Sequence, residues 1–162
     1  PQAIIDVMAP AWCRPLLSRM PEVNEAIPMP LGHGALAIGE RRKLGHSLRE
    51  RRYDRAYVLP NSFKSALVPF FANIPLRTGW RGEMRYGLLN DARVLDKDAW
   101  PLMVERYVAL AYDNGVMRCA KDLPQPLLWP QLQVNEGEKS QACSAFNLSN
   151  DRPIVGFCPG AE

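Results

Sequence analysis

Segments typical of buried strands alternate with helical segments along this chain, and this alternation is the strongest constraint on its fold. The clearest unit runs from the strand-like residues 54–59 through the polar turn 60–62 into a helical stretch at 63–72. Parallel strands need long crossover connections, which are usually helices. The sequence therefore predicts an α/β fold with a largely parallel sheet.

Five segments predict strands and five predict helices. The strand segments are residues 3–8, 25–27, 54–59, 74–80 and 153–157. The helix segments are residues 12–20, 35–52, 63–72, 100–112 and 136–146. In the 35–52 segment, leucines recur at helical spacing, and the basic residues between them (Arg41, Arg42, Arg49 and Arg52) are expected to form a solvated face.

Composition excludes several classes of protein. With 47% apolar and 23% charged residues, the 162-residue chain is globular, and no apolar run approaches the roughly 20 residues of a membrane-spanning helix. The four cysteines are widely separated, so the sequence suggests neither a zinc site nor a disulfide framework, and a reducing cytoplasm fits best. The net charge of +3 is modest, but the basic residues are clustered, which favours anionic ligands.

The first candidate site is the loop of residues 60–65, Pro-Asn-Ser-Phe-Lys-Ser, between a predicted strand and a predicted helix. Open α/β sheets hold their ligands at the carboxyl ends of their strands. Free amides of the first helical turn and the Lys64 ammonium would suit a phosphate or a carboxylate. A helix cap by Asn61 or Ser62 with a solvated Lys64 explains the same residues equally well.

The second candidate site is the segment 77–86, which holds three arginines, two glycines and two aromatic residues. Arginine binds carboxylate or phosphate through two parallel hydrogen bonds, and neighbouring aromatic rings can stack on sugars or nucleobases. A surface loop whose arginine stems cover apolar ground remains the alternative.

The chain offers no convincing catalytic base. His33 and His46 lack partners at metal-ligand spacing, and neither Asp54 nor Asp91 has a companion histidine in a triad-like arrangement. Both ends also suggest that the sequence is a piece of a larger enzyme, because it starts at Pro1 without a leader and stops in a Gly-containing loop after the strand predicted at 153–157.

Three segments together carry a family resemblance. They are Tyr-Asp-Arg-Ala-Tyr-Val-Leu-Pro-Asn-Ser-Phe-Lys-Ser at 53–65, Ile-Pro-Leu-Arg-Thr-Gly-Trp at 74–80 and Gly-Phe-Cys-Pro-Gly-Ala-Glu at 156–162. In residues, order and spacing they closely resemble the ADP-heptose:lipopolysaccharide heptosyltransferases of Gram-negative bacteria. The resemblance covers essentially the whole chain.

The resemblance implies a GT-B architecture, in which two Rossmann-like domains face each other across a cleft. Residues 1–133 would be the N-terminal, acceptor-binding half without its first strand, and residues 134–162 would be a linker helix and the first strand of the nucleotide-sugar domain. The prolines between 121 and 133 fit such a passage between domains. The implied reaction transfers L-glycero-D-manno-heptose from ADP-heptose to the inner-core heptose of lipopolysaccharide, with inversion and without a required metal or other cofactor.

The resemblance also implies roles for residues. The acceptor-binding candidates are Asn61, Ser62, Lys64, Ser65, Arg77, Arg81 and Arg85, and the donor-binding candidates are Gly160, Ala161 and Glu162. The family's catalytic carboxylate is expected upstream of Pro1, so this polypeptide alone is expected not to catalyse transfer. The protein is expected in the cytoplasm, in peripheral contact with the inner membrane and without a nucleic-acid partner.

The residues also allow a different class of function. A non-catalytic α/β module could use Lys64 and the arginines of segment 77–86 to hold an anionic partner, such as a nucleic acid. Binding to RNA or DNA with a steep salt dependence would favour that hypothesis.

Overall fold

A computed structural model describes residues 3–32, 34–149 and 151–157. The strands are β1 (Asp6–Pro10), β2 (Glu25–Met29), β3 (Arg55–Tyr57), β4 (Leu76–Trp80) and β5 (Asp91–Arg93). The α-helices are α1 (Arg14–Leu17), α2 (Ile38–Ser47), α3 (Leu67–Phe71), α4 (Met103–Ala111) and α5 (Glu136–Ala145). Short 3-10 helices cover Ala11–Cys13, Arg49–Arg51, Phe63–Ala66 and Ala120–Asp122.

All of the pairings between these strands are parallel, so the predicted α/β class is confirmed. β1 pairs with β2 from Asp6 opposite Glu25 to Pro10 opposite Met29. β3, β4 and β5 form a second sheet with β4 in the centre. Helices connect β1 to β2 and β3 to β4, as parallel crossovers usually require, whereas residues 81–90 connect β4 to β5 without a helix.

The chain divides into two compact units. One combines residues 1–30 with 129–162, and within its described part Arg19 joins the two segments. Its backbone carbonyl accepts from Gln133 N at 2.7 Å, and its guanidinium pairs with Glu138 at 2.8 Å. The other unit, residues 31–128, holds the three-stranded sheet. The domain boundary expected at 133/134 remains a prediction.

Two apolar clusters contribute to the core of the described part of the 31–128 unit. Trp80 and Trp100 pack with Leu110 of α4 and with Leu123, and the indole Nε1 of Trp80 donates to Arg106 O at 3.2 Å. Val58, after β3, packs with Ala66 and Leu89. These residues anchor the ends of β3 and β4, where the candidate loops begin.

The carboxyl-terminal strand prediction is wrong. Residues 153–157 have no regular secondary structure, and Ile154, Val155 and Phe157 are exposed rather than buried. A strand exists only where a neighbour supplies ladder hydrogen bonds, and no described strand pairs with these residues.

The helix expected at 35–52 is shorter, and one of its arginines is not solvated. Ala37 adopts a left-handed conformation, so α2 begins at Ile38. Arg41 is buried and donates from Nε to Leu36 O at 2.7 Å and from Nη2 to Ala35 O at 3.0 Å. It therefore ties the preceding loop to the helix, while Arg42, Arg49 and Arg52 are exposed as expected.

The close packing of α2 on α3 depends on Gly45. A Cβ at this position would lie 2.5 Å from the Cβ of Phe71 and 2.8 Å from Val68 O. Gly45→Ala is therefore expected to lower the free energy of unfolding by about 1–3 kcal/mol despite the better helix propensity of alanine. Gly39→Ala in the same helix meets nothing within 4 Å and should be neutral or stabilising in urea unfolding. Equal effects of the two substitutions would contradict this packing.

An ion pair in the sheet makes stability depend on pH. Arg93 Nη2 donates to Asp91 at 2.7 Å, and Thr78 Oγ1 donates to the same carboxylate at 2.9 Å. The hydrogen bond from Arg93 lowers the pKa of Asp91, and that from Thr78 adds to the effect. Because the folded pKa is depressed, the carboxylate stabilises the fold above its unfolded pKa of about 3.9, and this stabilisation is lost as pH falls through the lower folded pKa.

Asp91→Asn should accordingly lower the free energy of unfolding at pH 7 by about 3 kcal/mol, because it leaves the buried Arg93 without a counter-charge. The difference from the unsubstituted protein should shrink below about pH 4, where Asp91 becomes protonated in the unfolded state. Urea unfolding between pH 3 and 7 measures both effects. A difference that stays constant over this range would contradict the role assigned to the carboxylate.

Candidate anion-binding site

The two candidate loops lie side by side in the fold. Loop 60–65 follows β3, and loop 81–87 follows β4, the neighbouring parallel strand. Carboxyl ends of parallel strands meet at one edge of a sheet, which is where such sheets bind ligands. Sequence reasoning found both loops, and the structure brings them into direct contact.

Arg85 makes most of that contact. It is 2% exposed, and its Nη1 donates to Pro60 O at 2.6 Å and to Ser65 Oγ at 3.3 Å. Its Nη2 donates to Trp80 O and makes a longer contact of 3.4 Å with Asn61 Oδ1. Burial lowers the pKa of the guanidinium, and the nearby negative charge of Glu83 opposes that shift. The Nη groups of this arginine are therefore engaged in hydrogen bonds within the protein.

Glu83 and Gly82 complete the contact between the loops. The Glu83 carboxylate accepts a hydrogen bond from Phe63 N, the first amide of the 3-10 helix. A Cβ on Gly82 would lie only 2.7 Å from Asn61 O. Sequence reasoning assigned no role to Glu83, and its position in a loop gave no periodic signal that could have shown one.

The polar residues of loop 60–65 differ in their availability. Neither Asn61 nor Ser62 caps the helix with its side chain, so that alternative is wrong. Ser65 Oγ donates to Ser62 O at 2.6 Å and also lies 3.0 Å from Pro60 O, which makes it part of the loop's own structure. The first helical amide, offered by the sequence to an external anion, is already occupied by Glu83.

Lys64 and Arg81 are the two candidate cations that remain available. Lys64 is half-buried and Arg81 is exposed, and within the described part of the chain neither side chain has an ion pair or a hydrogen bond. The Arg81 guanidinium lies 5.9 Å from the centre of the Tyr86 ring, a cation–π distance. Tyr86 itself is 69% exposed, so part of the ring is open to a ligand.

Arg77 lies near the opposite end of β4. Its Nε donates to Leu88 O at 2.6 Å, its Nη1 donates to Ile74 O, and its guanidinium lies 5.6 Å from the centre of the Phe70 ring. These contacts are structural, and the structure therefore does not bring Arg77 together with Lys64 and Arg81.

The described residues show neither a candidate metal site nor a membrane span. No cluster of three or more His, Cys, Asp or Glu side chains occurs among them. Within the same ranges, every helix is too short or too polar to cross a bilayer. His33 and the donor-binding candidates Gly160, Ala161 and Glu162 lie outside the described residues.

One pocket among the described residues lies away from these loops. It is an open depression of about 330 Å³ near the amino ends of β3 and β4. Its lining residues are Arg49, Arg52, Tyr53, Asp54, Ala72, Asn73 and Pro75. Arg49 there donates to Phe71 O at 2.9 Å, which satisfies a carbonyl at the end of α3. The loops at the carboxyl ends of the strands remain the candidate site, because parallel sheets bind ligands at that edge.

Comparison with known proteins places the chain among sugar transferases. The pattern of glycosyltransferase family 9 (heptosyltransferase) matches residues 41–162. Lipopolysaccharide heptosyltransferase 2 of Salmonella typhimurium is 90% identical over the whole chain, and that of Escherichia coli K12 is 87% identical. The lipooligosaccharide heptosyltransferase 2 of Haemophilus influenzae is 56% identical. The chain spans 47% of the length of each of these relatives.

A solved structure agrees with these matches. The structure of E. coli ADP-heptose lps heptosyltransferase II superposes with a TM-score of 0.88 at 82% identity. The match covers 100% of this chain and 47% of the other.

The different environments of the cations predict different effects on stability. Arg85→Met keeps an apolar stem but removes the donors to buried acceptors, so it should lower the free energy of unfolding by about 2–4 kcal/mol. Lys64→Met removes no described contact and should change it by less than about 0.5 kcal/mol. Urea unfolding of both variants measures the difference. Equal losses would show that the Arg85 contacts do not stabilise the fold.

Proposed function

Because the chain belongs to glycosyltransferase family 9 (heptosyltransferase), we propose that it is the acceptor-binding part of a sugar transferase. The complete enzyme would transfer L-glycero-D-manno-heptose from ADP-heptose to the inner-core heptose of lipopolysaccharide, with inversion and without a required metal. The observation that carries this proposal is the 90% identity, over all 162 residues, to a lipopolysaccharide heptosyltransferase 2.

The proposal extends to domain organisation and location. Residues 1–133 would form the acceptor-binding domain, and residues 134–162 would lead into the nucleotide-sugar domain of a GT-B enzyme. The enzyme would act in the cytoplasm at the inner face of the inner membrane, where its amphiphilic acceptor lies. Its partners would be lipopolysaccharide and ADP-heptose rather than nucleic acid.

On the acceptor side, Lys64 and Arg81 would make the charged contacts. Both are free cations on adjacent loops at the carboxyl edge of the sheet. Phosphate and carboxylate groups of an inner-core saccharide would pair with them, and the exposed Tyr86 ring offers a surface for a sugar. Asn61 and Ser62 would add hydrogen bonds from the same loop.

The remaining candidates would support these contacts. Arg85 and Ser65 are engaged with the protein at the two loops, so we assign them to the structure of the site, and we assign Arg77, near the other end of β4, to the stability of the fold. Gly160, Ala161 and Glu162 stay proposed as the start of the donor-binding loop. Transfer also needs a positioned base for the acceptor hydroxyl and stabilisation of the departing diphosphate, which other parts of the complete enzyme would supply.

Substitution of the two free cations tests the proposal. In the complete enzyme, Lys64→Ala and Arg81→Ala should each raise the acceptor KM about tenfold, because each removes one charge-assisted hydrogen bond of about 1.5 kcal/mol. The KM for ADP-heptose and the melting temperature should be unchanged. Steady-state kinetics with purified acceptor measures both constants.

Matched controls are available in the same unit. Lys121→Ala and Arg42→Ala remove exposed cations outside the two loops and should leave the acceptor KM unchanged. Full activity with an unaltered acceptor KM in both loop variants would remove Lys64 and Arg81 from the site.

A further inference from the structure

The contacts between the two loops indicate a role for loop residues other than the two free cations Lys64 and Arg81. We propose that Arg85, Glu83 and Gly82 are positioning residues, which set the separation of Lys64 and Arg81 so that the site selects a saccharide carrying two anionic groups. This inference rests on the proposed function, because it assumes that the two free cations contact the acceptor.

Arg85 provides the strongest tie. Its guanidinium connects the carbonyl of Trp80, at the end of β4, with Pro60 O at 2.6 Å on the other loop. Only the planar fork of arginine reaches several such acceptors at once, since a lysine ammonium is a compact point charge. The Nε of Arg85 is buried without a hydrogen-bond partner in the described structure, so the residue is retained at an energetic cost.

Glu83 provides the second tie. Its carboxylate holds Phe63 N, and Lys64 is the next residue along the chain. Glu83 does this with a φ of 30°, in the left-handed region that a residue with a side chain seldom adopts. A strained residue that makes a specific contact on a ligand-facing edge fits a positioning role.

Gly82 allows the third close approach of the loops because it has no side chain. The loops approach so closely here that a Cβ would lie 2.7 Å from Asn61 O and 2.9 Å from Asn61 Cβ. Any other residue would push loop 60–65 away by several tenths of an ångström without changing a charge.

The contacts at Glu83 and Gly82 affect the two free cations directly, because each cation is next in sequence to one of the residues involved. Lys64 follows Phe63, whose amide donates to Glu83, and Arg81 precedes Gly82, where the space beside Asn61 is too small for a Cβ. The three contacts therefore fix the backbone at both cations and leave only their side chains free. Two cations at a fixed separation discriminate between saccharides by the spacing of their anionic groups.

Gly82→Ala in the complete enzyme tests the proposal without removing a functional group. It should raise the acceptor KM about tenfold, since displacements of about an ångström can cost up to about 100-fold in a positioned site. The KM for ADP-heptose should stay within about twofold. Gly39→Ala, which meets nothing within 4 Å, is the matched control and should change neither constant. An acceptor KM equal to that of the control would overturn the proposal.

Two substitutions of the exposed Glu83 decide the question even if Gly82→Ala does not fold. Glu83→Gln keeps an oxygen that can accept from Phe63 N and should retain the acceptor KM within about threefold, whereas Glu83→Ala should raise it about tenfold. Equal kinetics of the two variants would overturn the role of the hydrogen bond.

A double-mutant cycle separates positioning from a general loss of structure. If Gly82 acts through Lys64, then Gly82→Ala should raise the acceptor KM less than twofold in a Lys64→Ala background, because the displaced group is already absent. Full additivity would overturn the proposal. If Lys64→Ala and Arg81→Ala alone do not affect the acceptor KM, the proposed assignment of these two cations to the acceptor site fails, and this inference fails with it. If these two variants raise the acceptor KM as expected but the Gly82 and Glu83 variants do not, only this inference is refuted.

Discussion

A buried guanidinium organises the carboxyl edge of the three-stranded sheet. Arg85 has left water almost completely, and a charge in that environment must be surrounded by acceptors. Those acceptors belong to the end of β4 and to the loop that follows β3. The hydrogen bonds of this one side chain therefore hold the loops after β3 and β4 in place. The exposed polar groups on these loops are held in place with them.

The basic residues of this edge divide into two sets by their environment. Arg77 and Arg85 donate to backbone carbonyls and stabilise the protein, whereas Lys64 and Arg81 have no ionic partner within the described chain. Fold alone does not imply function, so this division matters for the acceptor-binding proposal. A negatively charged saccharide is recognised by cations that the protein has not already neutralised.

Several features could be predicted from the sequence because they have a local signal. Apolar periodicity located α4 to within a few residues, the helix expected at 136–146 agrees with α5, and strand–helix alternation gave the parallel α/β class. β5 was missed because its sequence, Asp-Ala-Arg, has no apolar pattern and is stabilised by an ion pair within the strand. The strand expected at 153–157 had the right pattern but no neighbour to pair with among the described strands.

The candidate loops were also found from the sequence, but the state of their side chains was not. Whether an arginine is free depends on carbonyl groups that come close only in the folded chain, as with Arg41 and the loop before α2. A hydrogen bond from an arginine to a backbone carbonyl cannot be predicted from residue spacing, since a carbonyl is present on every residue. Residue types therefore predicted that the loops are basic, and tertiary contacts determine which of their cations remain available to a ligand.

The left-handed backbone of Glu83 limits how this edge could be redesigned. Glycine would relieve the conformational penalty but could not hold the amide of Phe63, and a β-branched residue would worsen the penalty. Asparagine and aspartate tolerate such dihedral angles, yet their side chains are one methylene shorter. Engineering a new substrate range here would thus require rebuilding both connections together, because no single replacement combines reach, an acceptor oxygen and an unstrained main chain.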